Sequence, residues 1–172
     1  MPKSRTRAAE SPGYSSVIAT LNRALSNEPL AKALTRSVQI LRANSDHFDW
    51  VGIYLVREKD LVLEAYAGDE ETEHVRIPIG EGICGCAAKE GATIVVPDVS
   101  KDPSYLMCFA TTRSEIVVPI RGKKGVLGEI DIDSNRLSAF NQEDREILEE
   151  AASLLARRIE SEDKISHEPS AL

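Results

Sequence analysis

One hairpin limits the folds open to this chain. In Gly125-Val-Leu-Gly-Glu-Ile-Asp-Ile-Asp133 an extended backbone places Leu127, Glu129, Asp131 and Asp133 on one face and Val126, Gly128, Ile130 and Ile132 on the other. One face belongs to a core and the other carries negative charge. Carboxylates are depleted in strands because they fit poorly on a pleated, half-buried surface, so three of them on one strand ask for a function. The preceding run Glu115-Ile-Val-Val-Pro-Ile-Arg121 is also a strand, and Gly122-Lys-Lys-Gly125 is the hairpin turn. A three-residue loop over 122–124 pairs Arg121 with Gly125 and Glu115 with Asp131, whereas a two-residue loop turns Glu115 to the other face. The three-residue register is the one expected. It gathers Glu115, Asp131 and Asp133 into an acidic pocket suited to a small cation such as an ammonium group.

Helices are available to cover the apolar face. After Ser11-Pro12, which suits an N-cap followed by a first-turn proline, Tyr14, Val17, Ile18, Leu21 and Leu25 keep helical spacing. A second helix follows Asn27-Glu-Pro29, carries the stripe Leu30, Leu34, Val38 and Leu41, and ends near Ala43-Asn44. From Phe48 the period changes to that of strands. Trp50-Val-Gly-Ile-Tyr-Leu-Val56 and Leu61-Val-Leu-Glu-Ala-Tyr-Ala67 form an antiparallel hairpin around Glu58-Lys-Asp60. Short strands at Val75-Arg-Ile-Pro78 and Thr93-Ile-Val-Val96 flank a glycine-rich turn and a short helix over 83–90. Residues 97–112 have no periodicity, and a loop of that length in a compact domain is usually a lid or binding loop. In the last helix Asn141 caps with Asp144 three residues on, and Ile147, Leu148, Ala151, Ala152, Leu155 and Ile159 form its stripe. Leu154 widens that stripe enough to suit packing on the N-terminal helices, within the subunit or across a dimer.

The expected architecture is therefore α+β: a single domain over 12–160 between flexible tails 1–11 and 161–172. It has a largely antiparallel sheet of about six strands, the N- and C-terminal helices packed on one face, and the 97–112 loop over the other. The 172 residues, 42% hydrophobic and 28% charged, suffice for one buried core. A net charge of −7 with no basic patch argues against nucleic acid, and no apolar run is long enough for a membrane span. The N-terminal segment lacks the apolar stretch of a secretory signal, and three cysteines do not make a disulfide scaffold, so a cytoplasmic, reducing compartment is expected.

The cysteines fall at Cys84, Cys86 and Cys108. Cys84 lies in the first turn of the short helix, where free N–H groups and the helix dipole favour a thiolate. Cys86, between Gly85 and two alanines, reads as packing into the core. With His74 the three cysteines make a Cys₃His set by composition, but a C-x-C pair in a helical turn aims its side chains apart, and no metal site is expected. Gly80-x-Gly82-x-x-Gly85 fits the dinucleotide fingerprint literally, yet it follows a short strand ending in Pro78 and opens no crossover helix. No Ser-His-Asp set is readable from the positions of His47, His74 and His167. Trp50 and Tyr54 share a strand face and can be core aromatics or the wall of a pocket.

Trp50-Val-Gly-Ile-Tyr54, Gly82-Ile-Cys-Gly85, Val96-Pro-Asp-Val99, Ser114-Glu-Ile-Val-Val-Pro-Ile120, Leu127-Gly-Glu-Ile-Asp-Ile-Asp-Ser134 and Phe140…Asp144 resemble the GAF-domain free methionine-R-sulfoxide reductases over residues 50–159. The resemblance implies that Cys108 is the catalytic cysteine and Cys84 its partner. It further implies that Glu115, Asp131 and Asp133 are the acidic substrate pocket and that Trp50 and Tyr54 are its aromatic wall. It implies a small-molecule substrate, no cofactor, and thioredoxin as the reductant. Two departures favour a second reading, a non-catalytic GAF-type module that binds a small molecule as a sensor. His74 stands where the family usually has a third cysteine, and Ser104-Tyr-Leu-Met-Cys-Phe109 replaces a more polar surround.

Overall fold

The computed structural model describes residues 13–167. The expected tail over 1–11 and the last residues, 168–172, lie outside the described residues. Helices α1 (Tyr14–Asn27) and α2 (Leu30–Asn44) precede β1 (Trp50–Arg57), β2 (Asp60–Ala67) and β3 (Arg76–Pro78). Helix α3 (Gly82–Glu90) and β4 (Ile94–Val96) lead through a 3₁₀ turn at Val99–Lys101 to β5 (Ser114–Gly122), β6 (Gly125–Ser134) and α4 (Gln142–His167). The strands form one sheet in the order β3-β2-β1-β6-β5-β4, with every neighbouring pair antiparallel.

The alternation along β1, β5 and β6 divides the molecule into two apolar layers. Val51, Ile53, Leu55, Ile116, Val118, Ile120, Ile130 and Ile132 meet α1, α2 and α4 on one face. Trp50, Tyr54 and Val117 face α3 and the 97–112 segment on the other. Leu154 and Ile159 belong to the helix-covered core, so the wide stripe on α4 is used within the subunit. The Tyr14 hydroxyl, which donates to Glu150 at 2.5 Å, fastens α1 to α4.

Three local expectations change. Gly13, not Ser11, stands at the N-cap of α1 and offers its carbonyl rather than a side chain. Helix α4 continues to His167, beyond the boundary expected at 160. The third concerns the hairpin, where Gly122 pairs with Gly125, leaving a two-residue turn at Lys123-Lys124. On its own that turn would send Glu115 to the wrong face, but a bulge intervenes. Arg121 pairs with Val126 and Ile120 with Gly128, so Leu127 is the extra residue that restores the parity; contrary to expectation, Leu127 packs on the helix-covered core and Val126 on the opposite layer. Glu115 therefore lies opposite Asp133 rather than Asp131, on the expected face by a different route.

The start of α4 is a reciprocal cap, as expected. The Asn141 amide donates to Asp144 Oδ2 at 2.9 Å and the Asp144 amide donates to Asn141 Oδ1 at 3.0 Å. Asp144 also lies 3.1 Å from His47 Nε2, and His47 Nδ1 lies 2.6 Å from Ser45 Oγ. The fold thus assembles a Ser-His-Asp set that the sequence positions did not reveal. Its carboxylate is committed to the helix cap, and the set serves as a clip between the end of α2 and the start of α4.

Candidate functional site

Strand β6 is the axis of the site. On β1, Trp50 lies opposite Asp133, Gly52 opposite Asp131, and Tyr54 opposite Glu129; on β5, Glu115 lies opposite Asp133 and Val117 opposite Asp131. The strand register alone therefore places four carboxyl groups and two aromatic rings on one face. All four acids are buried, with 5%, 0%, 1% and 2% of Glu115, Glu129, Asp131 and Asp133 exposed. Among the described residues no Lys or Arg forms an ion pair with any of them. Both oxygens of Glu129 and of Asp133, and Asp131 Oδ1, have no hydrogen-bond partner there.

Buried carboxyls without counter-charge hold their protons, because the ionised form loses its hydration. Burial pushes Glu129 up to about 8. Burial, helped by the neighbouring Glu129 charge, pushes Asp131 up to about 8. Glu115 is raised well above the carboxylate range by burial and then by Asp131 and Asp133, and Asp133 by burial and then by Asp131. At neutral pH the ligand-free pocket is thus largely proton-filled, and an entering cation can replace those protons.

Two of the three thiols face this pocket. Cys84, third residue of α3, is 6% exposed and its Sγ donates to Glu115 Oε1 at 3.8 Å. The helix-start thiolate expected from sequence is overruled here. Burial, then Asp131, Glu129 and Glu115, raise the Cys84 thiol well above its ordinary value, which outweighs the helix dipole. Cys108 is half-buried on the 97–112 strap, donates to the Leu106 carbonyl at 3.5 Å, and is raised by burial, then Asp131, Asp133 and Glu115. The Thr72 hydroxyl works the other way on Cys108. Cys86 is half-buried, with Sγ 3.8 Å from the Gly80 carbonyl, and does not enter the core as expected. All three cysteines are free. His74 Nε2 donates to the Met107 carbonyl at 3.2 Å, which ties the strap beside β3, and the Tyr54 hydroxyl donates to the His74 carbonyl at 2.9 Å.

The aromatic wall is layered. Trp50 stacks on Tyr66 with centroids 5.9 Å apart and meets Phe109 at 5.7 Å. A cleft of ≈ 140 Å³, lined by Trp50, Phe109, Thr112 and Asp133, reaches the acid face from outside. The Trp50 ring crosses directly over Gly52, where an added Cβ would lie 2.4 Å from Cη2. Gly52→Ala is therefore expected to displace the chain's single tryptophan and red-shift its emission; an unshifted spectrum would show that the ring does not depend on Gly52. Gly82 plays the matching part under the strap. Its φ is +67°, and an added Cβ would lie 2.8 Å from Leu106 Cδ1.

Of the residues expected from sequence, Cys84, Cys108, Glu115, Asp131, Asp133, Trp50 and Tyr54 all lie on this face of the sheet. Thr72, Thr112 and Phe109 were not anticipated, and Glu129, expected on the charged face, was not counted in the pocket. Glu129 had a signal, since it shares the parity of Asp131; Thr72, Thr112 and Phe109 sit in loops with no period to read.

The GAF domain model matches residues 27–160. The chain is 39% identical over 111 residues to free methionine-R-sulfoxide reductase of Saccharomyces cerevisiae, covering 62% of this chain and 61% of that one. It is 31% identical over 130 residues to free methionine-R-sulfoxide reductase of Escherichia coli, covering 76% and 78%. Among solved structures it is similar to free methionine-R-sulfoxide reductase from Neisseria meningitidis in complex with its substrate. That match has a TM-score of 0.83 and 32% identity, and covers 96% of this chain and 99% of that one. The chain belongs to the GAF domain family. Within it, the resemblance to free methionine-R-sulfoxide reductases holds in sequence and in fold.

Proposed function

We propose that this protein reduces free methionine-R-sulfoxide to methionine, with Cys108 as nucleophile and Cys84 as resolving thiol. The observation that carries the reading is a buried pocket of four carboxyls without protein counter-charge beside two free thiols. The substrate's ammonium group supplies the missing positive charge, and Trp50 and Tyr54 supply apolar walls. Its entry compensates the acids that hold the Cys108 thiol protonated, so a thiolate forms when substrate is present. The thiolate sulfur attacks the sulfoxide sulfur, a protonated carboxyl gives its proton to the oxygen, and methionine leaves as Cys108 becomes a sulfenic acid. The Cys84 thiol displaces water from that sulfenic acid to give a disulfide, which a thioredoxin-class dithiol reduces.

The turnover assay uses both epimers, free and peptide-bound. The free R epimer alone should be consumed, Cys108→Ser should abolish consumption, and peptide mapping after peroxide should find Cys84 joined to Cys108. No consumption by fully reduced protein would sink the reading. A second reading, a non-catalytic sensor module, has its own observation: burial raises the Cys108 thiol, and the apolar Met107 and Phe109 flank it. A sensor would bind its small ligand equally well after Cys108→Ser. A reducing cytoplasm goes with the reductase reading, because it suits three free cysteines and a thioredoxin-class reductant, and a homodimer is a separate proposal that sedimentation tests. Among the described residues no helix is long and apolar enough to cross a membrane.

A further inference from the structure

Cys84 and the carboxyls of the acid face serve the proposed reductase, and their arrangement also suits a second occupant. Cys84 Sγ and one carboxylate oxygen each from Glu115 and Asp131 lie within 4.8 Å of one another, and all three residues are buried. A second observation sets this cluster apart from an ordinary group of acids. Glu129 is fully buried with the Cys84 thiol close to it, yet neither of its oxygens makes a well-formed hydrogen bond among the described residues, and Asp131 Oδ1 makes none either. Such orphaned acceptors are costly in a dry site unless a cation meets them.

We propose that Cys84, Glu115 and Asp131 form a binding site for a Zn²⁺-class divalent cation, with Glu129 as the adjacent acceptor. The donor set selects the class: a thiolate with two carboxylates suits a borderline ion such as Zn²⁺ or Co²⁺, whereas Mg²⁺ and Ca²⁺ take oxygen alone. The geometry is close to what such an ion needs. Tetrahedral Zn²⁺ with a sulfur ligand at about 2.3 Å and oxygens at about 2.1 Å separates its ligands by roughly 3.5 Å, so the three donors close by about an ångström. This is not the Cys₃His set considered from sequence. Among the described residues Cys86, Cys108 and His74 join no such cluster.

If the pocket takes an ammonium group, which rests on the proposed function, the ion occupies the same seat and removes Cys84 from disulfide exchange. Free Zn²⁺ then inhibits turnover in competition with substrate.

The test titrates Co²⁺ into the reduced full chain and follows the thiolate-to-cobalt absorption band. One equivalent should bind to wild type and to Cys108→Ser. The band should vanish in Cys84→Ser, and affinity should fall at least tenfold in Asp131→Asn, which keeps the size of the side chain. No band in wild type, or a band that survives Cys84→Ser, overturns the proposal. A band lost only in Cys108→Ser overturns it too, by placing the ion on the strap. The two readings fail separately: turnover without cobalt binding removes the metal site alone, and cobalt binding without turnover removes the reductase alone.

Discussion

Asp131→Asn is expected to cut kcat/KM for the free sulfoxide by roughly one to two orders of magnitude while making the protein more stable at alkaline pH. The first effect follows from losing a charge-assisted contact to the ammonium group, about 1.5–3 kcal/mol. The second follows from linkage. Asp131 is raised from 3.8 to about 8 in the folded chain, so its stabilising effect is complete below about pH 4 and is lost as pH rises through about 8. Over that window the unfolded chain ionises and the folded one resists. Asparagine has nothing to ionise and escapes the loss, which is on the order of 2–4 kcal/mol and corresponds to about 5–15 °C in Tm for a chain of this size. Melts of both proteins at pH 5 and pH 8 should show the gap opening at the higher pH. A variant no more stable than wild type at pH 8 would show that the carboxyl is not held protonated. The same titration predicts that wild-type kcat/KM rises from pH 6 toward about pH 8, as the pocket gives up protons to the incoming cation.

Asp144→Ala should be strongly destabilising although it removes no apolar side chain from the helix-covered core. Asp144 is buried and accepts from the Asn141 amide at 2.9 Å while lying 3.1 Å from His47 Nε2. Alanine removes half of the reciprocal cap of α4, about 1 kcal/mol, and leaves the His47 imidazole, whose side chain is 16% exposed, without its carboxylate, about 1–3 kcal/mol more. The summed loss of about 2–4 kcal/mol lowers Tm by about 5–15 °C. Asp144→Asn keeps an acceptor in place and should recover most of it. If the alanine variant melts with wild type, the clip between the end of α2 and the start of α4 contributes nothing. Turnover per folded molecule should be unchanged at 25 °C, because the clip lies away from the acid face.

The two substitutions separate what alternation encodes from what folding adds. Period two in Gly125-Val-Leu-Gly-Glu-Ile-Asp-Ile-Asp133 was enough to assign Asp131 and Asp133 to one face and Ile130 and Ile132 to the other, because backbone geometry alone decides which way a strand residue points. Helical spacing likewise identified the stripes of α1, α2 and α4, and the Asn141–Asp144 box was readable because capping is local.

The side on which Glu115 lies was not local in that way. It depended on a bulge at Leu127 that offsets a two-residue turn, and nothing in the turn residues announces a compensating irregularity further along the strand. The protonation of the site was equally out of reach. A cysteine at a helix start reads as a thiolate when only its own helix is considered, but Cys84 is packed beneath β5 and β6 against Glu115, Glu129 and Asp131.

Local pattern determined the sheet, the helices that cover it and the residues of the acid face, since these depend on directions set within a few residues. Tertiary structure decided the register of Glu115, the burial that keeps four carboxyls protonated, and the pairing of Ser45 and His47 with the distant Asp144. Each of those requires segments far apart in the chain to exclude water from one another, and that exclusion is what sets the charge state of the site.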